Sequence, residues 1–296
     1  MGAPVSVAQV YRRLAEVCPD LDLTLGAPGP ADGPGWVDGA RLAHDPAALR
    51  GWLEGEAARI QDGCGRQVRP DVVASRALHG YLWSACLLIS GPWFLAGRVP
   101  RLRLEDVWLG PDAALRVAVP DSYACLPGDP EAGDPEAGWA EAGEAAGGGA
   151  AAQVLAGAEA LRADLRRAVA DHAGPLLAAL RPYTRRGERA LWGMVGDDLI
   201  SGLWHLGTAL GDEAHGAAMA TLLLPGPKPP FPAGADFRPL PGGEQDGRRL
   251  TRTRAGCCLY YTIDPQDVCG TCPRLLAAAP AGPLPDHPAL AVVPCA

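Results

Sequence analysis

The chain has 296 residues, 48% of them hydrophobic, with a formal net charge of −8 and a single lysine, Lys228, among many arginines. This length allows one large domain or two modest ones with ample core, and the apolar fraction is that of a folded soluble protein. The negative balance excludes the electrostatic footprint of a nucleic-acid or anionic-lipid binder.

Val7, Val10, Leu14 and Val17 fall on one face of a short amphipathic helix that Pro19 ends, and no basic start followed by an apolar run precedes it. Nine cysteines without a secretory leader point to a reducing, cytoplasmic compartment. Leu21, Leu23 and Leu25 alternate as a short strand inside a Gly- and Pro-rich loop. Asp45-Pro46 caps and starts a helix over Pro46–Gly63, whose apolar face is Leu49, Trp52, Leu53, Ala57 and Ile60. Ala77–Gly97 contains no Asp, Glu, Lys or Arg and is long enough to span a bilayer. Gly80, Ser84, Ser90, Gly91 and Pro92 dilute it, and it is the only such run, so it reads as a core helix.

Leu102–Pro120 alternates as a β-hairpin about Gly110-Pro111-Asp112. Pro127–Gly149 is low complexity, with Gly-Asp-Pro-Glu-Ala twice, and reads as a flexible acidic insert whose removal from Asp129 onward would spare the fold. Val154–Val169 forms a helix closed near Gly174-Pro175, and Pro175–Arg181 a shorter one. Glu188–Leu210 is a long amphipathic helix with Leu191, Trp192, Val195, Leu199, Leu203 and Leu206 inward. It carries Asp197-Asp198, whose adjacent side chains point apart; a solvated face or a contact to an arginine fits them better than acid–base chemistry. His205 and His215 have no partner at ligand spacing. Glu213–Leu224 reads as a last helix, and Pro225–Gly243 as an irregular arm with Phe231 and Phe237 as anchors.

The chemistry concentrates at the end. Arg248–Tyr261 is strand-like and leads into Cys257-Cys258, followed by Cys269-Gly270-Thr271-Cys272, a Cys-Cys-x10-Cys-x2-Cys pattern. Four thiolates at this spacing suit tetrahedral zinc or an iron–sulfur cluster. Adjacent cysteines strain the grip on one small ion, which favours a cluster that spreads its ligands over two metals. A vicinal disulfide beside a redox pair, or four reduced core thiols, would also account for the pattern. Cys18, Cys64, Cys86, Cys125 and Cys295 show no ligand spacing and read as packing or plain thiols. Gly-x-Gly-x-x-Gly after a strand, a Walker loop and a nucleophile elbow are absent, so electrons would arrive from an external donor.

This pattern, led by an Arg-rich strand and followed by Pro273, resembles the C-terminal motif of the FhuF-like ferric-siderophore reductases over residues 248–275, with Arg254 and Tyr261 also matching. Leu191-Trp192-Gly193 is a fainter echo, with Met194 in place of a polar residue. The resemblance implies a [2Fe-2S] cluster on Cys257, Cys258, Cys269 and Cys272, and an oxidoreductase that reduces the ferric iron of a siderophore by one electron. Its partners would be the ferric siderophore and a ferredoxin-like or other reductant, with no nucleic acid, no membrane span and at most peripheral association with an uptake system. Arg248, Arg249, Arg252 and Arg254 would offset cluster charge and guide the chelate or electron donor, or be ordinary strand charge. A zinc-stabilised scaffold and an iron–sulfur accessory or sensor protein are the alternatives. The fold expected is α+β: a predominantly helical globule with small β elements and a C-terminal iron–sulfur motif. It would comprise an N-terminal half 1–126, the insert 127–151 and a C-terminal half 152–296.

Overall fold

The computed structural model describes residues 5–132, 150–240, 249–264 and 269–274. Helices dominate: α1 (Val7–Val17), α2 (Gly39–His44), α3 (Pro46–Cys64), α4 (Pro70–Ala96), α5 (Ala158–Thr184), α6 (Glu188–Ala209) and α7 (Glu213–Leu223). The strands are short: β1 (Leu23–Leu25), β2 (Val37–Asp38), β3 (Val99–Pro100), β4 (Val107–Leu109), β5 (Leu115–Val117), β6 (Ser122–Cys125), β7 (Ala151–Val154), β8 (Arg238–Pro239) and β9 (Leu250–Thr251). The predominantly helical α+β expectation holds. The chain forms two compact units, each built from two stretches: Met1–Gly39 with Leu87–His172, and Ala40–Cys86 with Ala173–Ala296.

In the first unit, a four-stranded sheet has the order β1-β5-β4-β2 and a three-stranded sheet the order β3-β6-β7. The β4–β5 hairpin is the one its alternation predicts, with Val107 opposite Val117. Leu104 departs from that reading: it opens a 3-10 turn, Leu104–Asp106, instead of a strand. The parallel pairings of β1 with β5 and of β6 with β7 join segments that no local pattern links. Helix α1 starts on a capping box between Ser6 and Gln9. The first residues of the expected insert are docked: Arg98, 3% exposed, donates from Nε and Nη2 to Asp129 at 2.7 Å and from Nη1 to Glu131 at 3.2 Å. A deletion starting at Asp129 would therefore leave a buried guanidinium unpaired; residues 133–149 lie outside the described residues.

Helix α4 is long and apolar enough to cross a bilayer, yet 78% of its most apolar window is buried. Helix α5 does not stop at Pro175 as expected but runs through it to Thr184. Burial of Ala173, Leu176, Leu177 and Leu180 offsets the hydrogen bond that the proline removes. Helix α6 is not the amphipathic helix its spacing suggests, because residues from Gly193 to Trp204 are all buried. Phe231 and Phe237 anchor the irregular arm edge-on against Trp192 and Trp204, at centroid distances of 5.9 and 5.3 Å.

Helices α6 and α7 touch backbone to backbone. A Cβ on Gly207 would lie 2.5 Å from Gly216 Cα and 2.7 Å from the Asp212 carbonyl oxygen. Gly207→Ala must push the helices apart, and its urea midpoint should fall by the equivalent of about 1–3 kcal/mol. Gly51→Ala on α3 meets nothing within 4 Å and should raise the midpoint by up to about 1 kcal/mol through helix propensity. Equal midpoints for the two variants would refute this account of the α6–α7 contact.

Candidate metal centre

The cysteine segment belongs to the second unit and is set by charges on α6. Alternate residues of an extended chain share a side, so Arg252 and Arg254 face the same way out of β9. That side is the interior, where the two arginines are 0% and 3% exposed. Arg252 Nη2 donates to Asp197 Oδ1 at 2.6 Å, Nε to the Ala235 carbonyl at 3.2 Å and Nη1 to Ser201 Oγ at 3.4 Å. Arg254 Nη2 donates to Asp198 Oδ1 at 2.9 Å, and its Nε lies 3.8 Å from Asp197 Oδ2. On the far side of Asp198, His79 Nδ1 of α4 is 2.9 Å from Oδ2. Two buried carboxylates thus meet two buried guanidiniums, and the charges cancel where a lone ion would cost several kcal/mol.

Asp197 also reaches the peptide that carries the first cysteines. It accepts the main-chain N–H of Ala255 at 3.0 Å and of Gly256 at 2.6 Å. Gly256 lies so close to α6 that a Cβ there would fall 3.1 Å from Met194 Cγ and 3.3 Å from Met194 N. Beyond the pair, Leu259 takes a left-handed conformation at φ 65°, costly for a branched residue, and the 3-10 turn Tyr260–Thr262 follows. Arg186 holds the pair from the other side, donating from Nη2 to the Cys257 carbonyl and from Nε to Ser75 Oγ at 3.2 Å.

Cys257, Cys258, Cys269 and Cys272 are all free thiols; Cys258 and Cys272 are buried, Cys257 and Cys269 partly exposed. The Cys-x-x-Cys turn closes through the Cys272 N–H donating to the Cys269 carbonyl at 2.8 Å. The Cys269 thiol donates to Cys258, which holds the Cys258 pKa well below the ordinary thiol value and raises that of Cys269. Burial raises Cys257, partly opposed by the Leu259 N–H donating to its sulfur. At the margin, Arg76 lies over the Tyr260 ring at 4.9 Å and Arg274 over Tyr261 at 4.4 Å. Two buried donors here have no acceptor in the polypeptide: Arg254 Nε and Thr271 Oγ.

Among the described residues, no three His, Cys, Asp or Glu side chains are grouped as a single bound ion requires. The donor set itself fits an iron–sulfur centre: four free soft sulfurs, one pair already in S–H···S contact, beside buried N–H and O–H groups that lack acceptors.

The outer residues depart from their sequence reading. Arg252 and Arg254 are not surface charges facing a chelate or a protein donor, because both are buried and paired with interior carboxylates. Arg249 is exposed, with its main-chain N–H donating to Glu213 at 2.8 Å; Arg248 and Cys295 lie outside the described residues. Cys18, Cys86 and Cys125 are buried free thiols, while Cys64 is disulfide-bonded instead of a plain thiol. His79, Ser75 and Arg186 gave no sequence signal. Asp197-Asp198 did give one, as a carboxylate pair in an apolar helix needing two cations, which an Arg-x-Arg strand supplies.

The Cys-Cys and Cys-x-x-Cys thiols, outside any disulfide and partly buried, stand beside a neutralised ionic frame. Residues 254–274 match the family model described as the FhuF 2Fe-2S C-terminal domain, which bears out the FhuF-like resemblance over that segment. No curated protein matches the chain.

Removing Asp197 would leave Arg252 buried without its carboxylate and two N–H groups without an acceptor. Asp197→Ala should cost the apoprotein about 3–5 kcal/mol in urea unfolding. Adding Arg252→Met to Asp197→Leu should recover a large part of that loss, because an apolar pair leaves no uncompensated charge. Additive losses in the double variant would show that the two side chains do not form one unit.

Proposed function

We propose that the chain is a cytoplasmic ferric-siderophore reductase, holding a [2Fe-2S] cluster on Cys257, Cys258, Cys269 and Cys272. The observation that carries the reading is the coincidence of the FhuF 2Fe-2S match with four cysteines, all outside any disulfide, in a segment tied to a buried ionic frame. When bound, the cluster supplies one electron to ferric iron held by oxygen ligands, and the resulting ferrous ion is softer and only weakly retained by such chelators. Cys258 and Cys272 seat one side of the donor set in the interior and exclude water from it. Cys257 and Cys269, partly exposed, keep the other side within reach of a substrate that need not enter the protein. Asp197 grips the peptide just ahead of the cysteine pair and Arg186 the Cys257 carbonyl within it, by hydrogen bonds that do not depend on substrate. The sequence carries no nicotinamide or nucleotide motif, so the electron comes from a ferredoxin-like or other external reductant.

Anaerobically purified protein should be red-brown, contain iron and acid-labile sulfide, and bleach on reduction; after mixing with a ferric siderophore, its colour should return as ferrous iron appears in a chelator trap. A colourless zinc protein would replace this reading with that of a zinc-stabilised module. A cluster that bleaches yet reduces no ferric chelate would leave an accessory or sensor protein. Serine at any one of the four cysteines should abolish or strongly alter the visible spectrum, because a serine oxygen is a poorer ligand to soft cluster iron. Cys86→Ser should leave it unchanged, since that thiol is buried on α4 with its contact at the Val195 carbonyl, 3.8 Å away, and lies outside the cysteine segment. A parental spectrum after loss of any of the four would remove that residue from the ligand set.

A further inference from the structure

Among the described residues, three buried side-chain polar atoms have no hydrogen-bond partner, and two of them lie in the cysteine segment: Arg254 Nε and Thr271 Oγ. Their residues are 3% and 6% exposed. A buried donor without an acceptor costs folding free energy, so two in one short segment call for a ligand that completes them. Neither is displaced from the site. Thr271 stands between Cys269 and Cys272, and its carbonyl faces the Arg254 N–H at 3.4 Å. Arg254 interacts electrostatically with Cys258 and Cys269 as well as with Asp197 and Asp198. Its Nη2 is occupied by Asp198, while Nε, at 3.8 Å from Asp197, is beyond hydrogen-bond reach of that carboxylate.

We infer that Arg254 Nε–H and Thr271 Oγ–H donate hydrogen bonds to sulfur atoms of the bound cluster and hold its reduction potential up. The inference rests on the cluster reading above. Sulfide and thiolate sulfurs are the acceptors such a centre adds, and they gain negative charge on reduction, so donors aimed at them favour the reduced form. The carboxylate pair already balances the arginine charge, so what Arg254 offers the cluster is a directed N–H and not an uncompensated cation. The two residues thus touch the cofactor and adjust its potential without ligating it.

The test uses the full chain, purified anaerobically with iron and sulfide counted, and a redox titration followed in the visible. Thr271→Val keeps the shape and removes the donor; Thr271→Ser keeps the donor. At a fixed potential the reduced-to-oxidised ratio of Thr271→Val should fall about tenfold, a midpoint ~59 mV lower for a one-electron couple, while Thr271→Ser stays at the parental value. The apoprotein of Thr271→Val should unfold no earlier than the parent, because the valine removes an unsatisfied hydroxyl; a purely structural threonine would give the reverse pair of results. Arg254→Lys, which can still pair with Asp198 but has no Nε–H, should also lower the midpoint, and it decides alone if Thr271→Val does not retain the cluster. Parental midpoints in both variants, at parental iron and sulfide content, would overturn the assignment and leave the cluster reading standing. A parent without iron and sulfide would overturn the cluster reading and the assignment with it.

Discussion

Asp197 and Asp198 sit almost without solvent contact in the buried middle of α6, and Arg252 and Arg254 enter beside them as their ion-pair partners. Much of the cysteine segment's placement follows from that exchange. Buried ion pairs are weak sources of net stability, since desolvation consumes most of the Coulombic gain. They are demanding in geometry, however. A strand that must deliver two guanidiniums to two adjacent carboxylates has one register, and that register fixes where Ala255, Gly256 and the cysteine pair fall on α6. Asp197 makes the coupling direct, because one carboxylate binds both a guanidinium and the two N–H groups just ahead of the cysteines.

The close approach at Gly256 and the left-handed Leu259 become intelligible on this footing. Once the strand is pinned to α6, the chain has little room between Met194 and the first cysteine, and a side chain at 256 would crowd the helix. After the cysteine pair it must turn sharply to place Ile263 among Ile60, Val72 and Val73, with Leu259 and Tyr260 packed against them. Leu259 absorbs that turn at a conformational cost of order 1 kcal/mol or more, offset by burial of the apolar residues that follow it. Ionic pinning ahead of the pair and apolar packing behind it leave the two sulfurs on a short, doubly anchored bridge.

Much of this was legible in the sequence where the determinant is local. The helices α1, α3, α6 and α7 follow from capping residues and apolar spacing, and the β4–β5 hairpin from alternation about its turn. The cysteine pattern pointed to the centre before any fold was known, and a contact to an arginine was one of the two readings open to Asp197-Asp198. What was not legible depends on distant partners. The parallel pairings of β1 and β6 join segments far apart in the chain, and the continuation of α5 through Pro175 depends on what its apolar side chains bury. The fate of Arg252 and Arg254 was misjudged for the same reason: charge on a strand reads as solvated unless a carboxylate waits inside, and only the fold shows that it does. His79 and Arg186 were invisible because a single histidine or arginine in a helix or loop carries no pattern.

The frame also bears on how the metal centre relates to folding. In small zinc modules the ligands come together only around the ion, so metal binding and folding are one event. Here Cys257 and Cys258 are held by contacts that involve no metal: Asp197 on the preceding peptide, Arg186 on the Cys257 carbonyl, and the apolar cluster around Ile263. The second pair sits in a turn of its own. Its described polar ties include the bond within its own turn, the Cys269 thiol donating to Cys258 and the 3.4 Å contact from the Arg254 N–H to the Thr271 carbonyl. Two of the four sulfurs thus have a place that needs no metal to fix it, so the free energy of ligation to a bound centre would not have to fold this part of the domain.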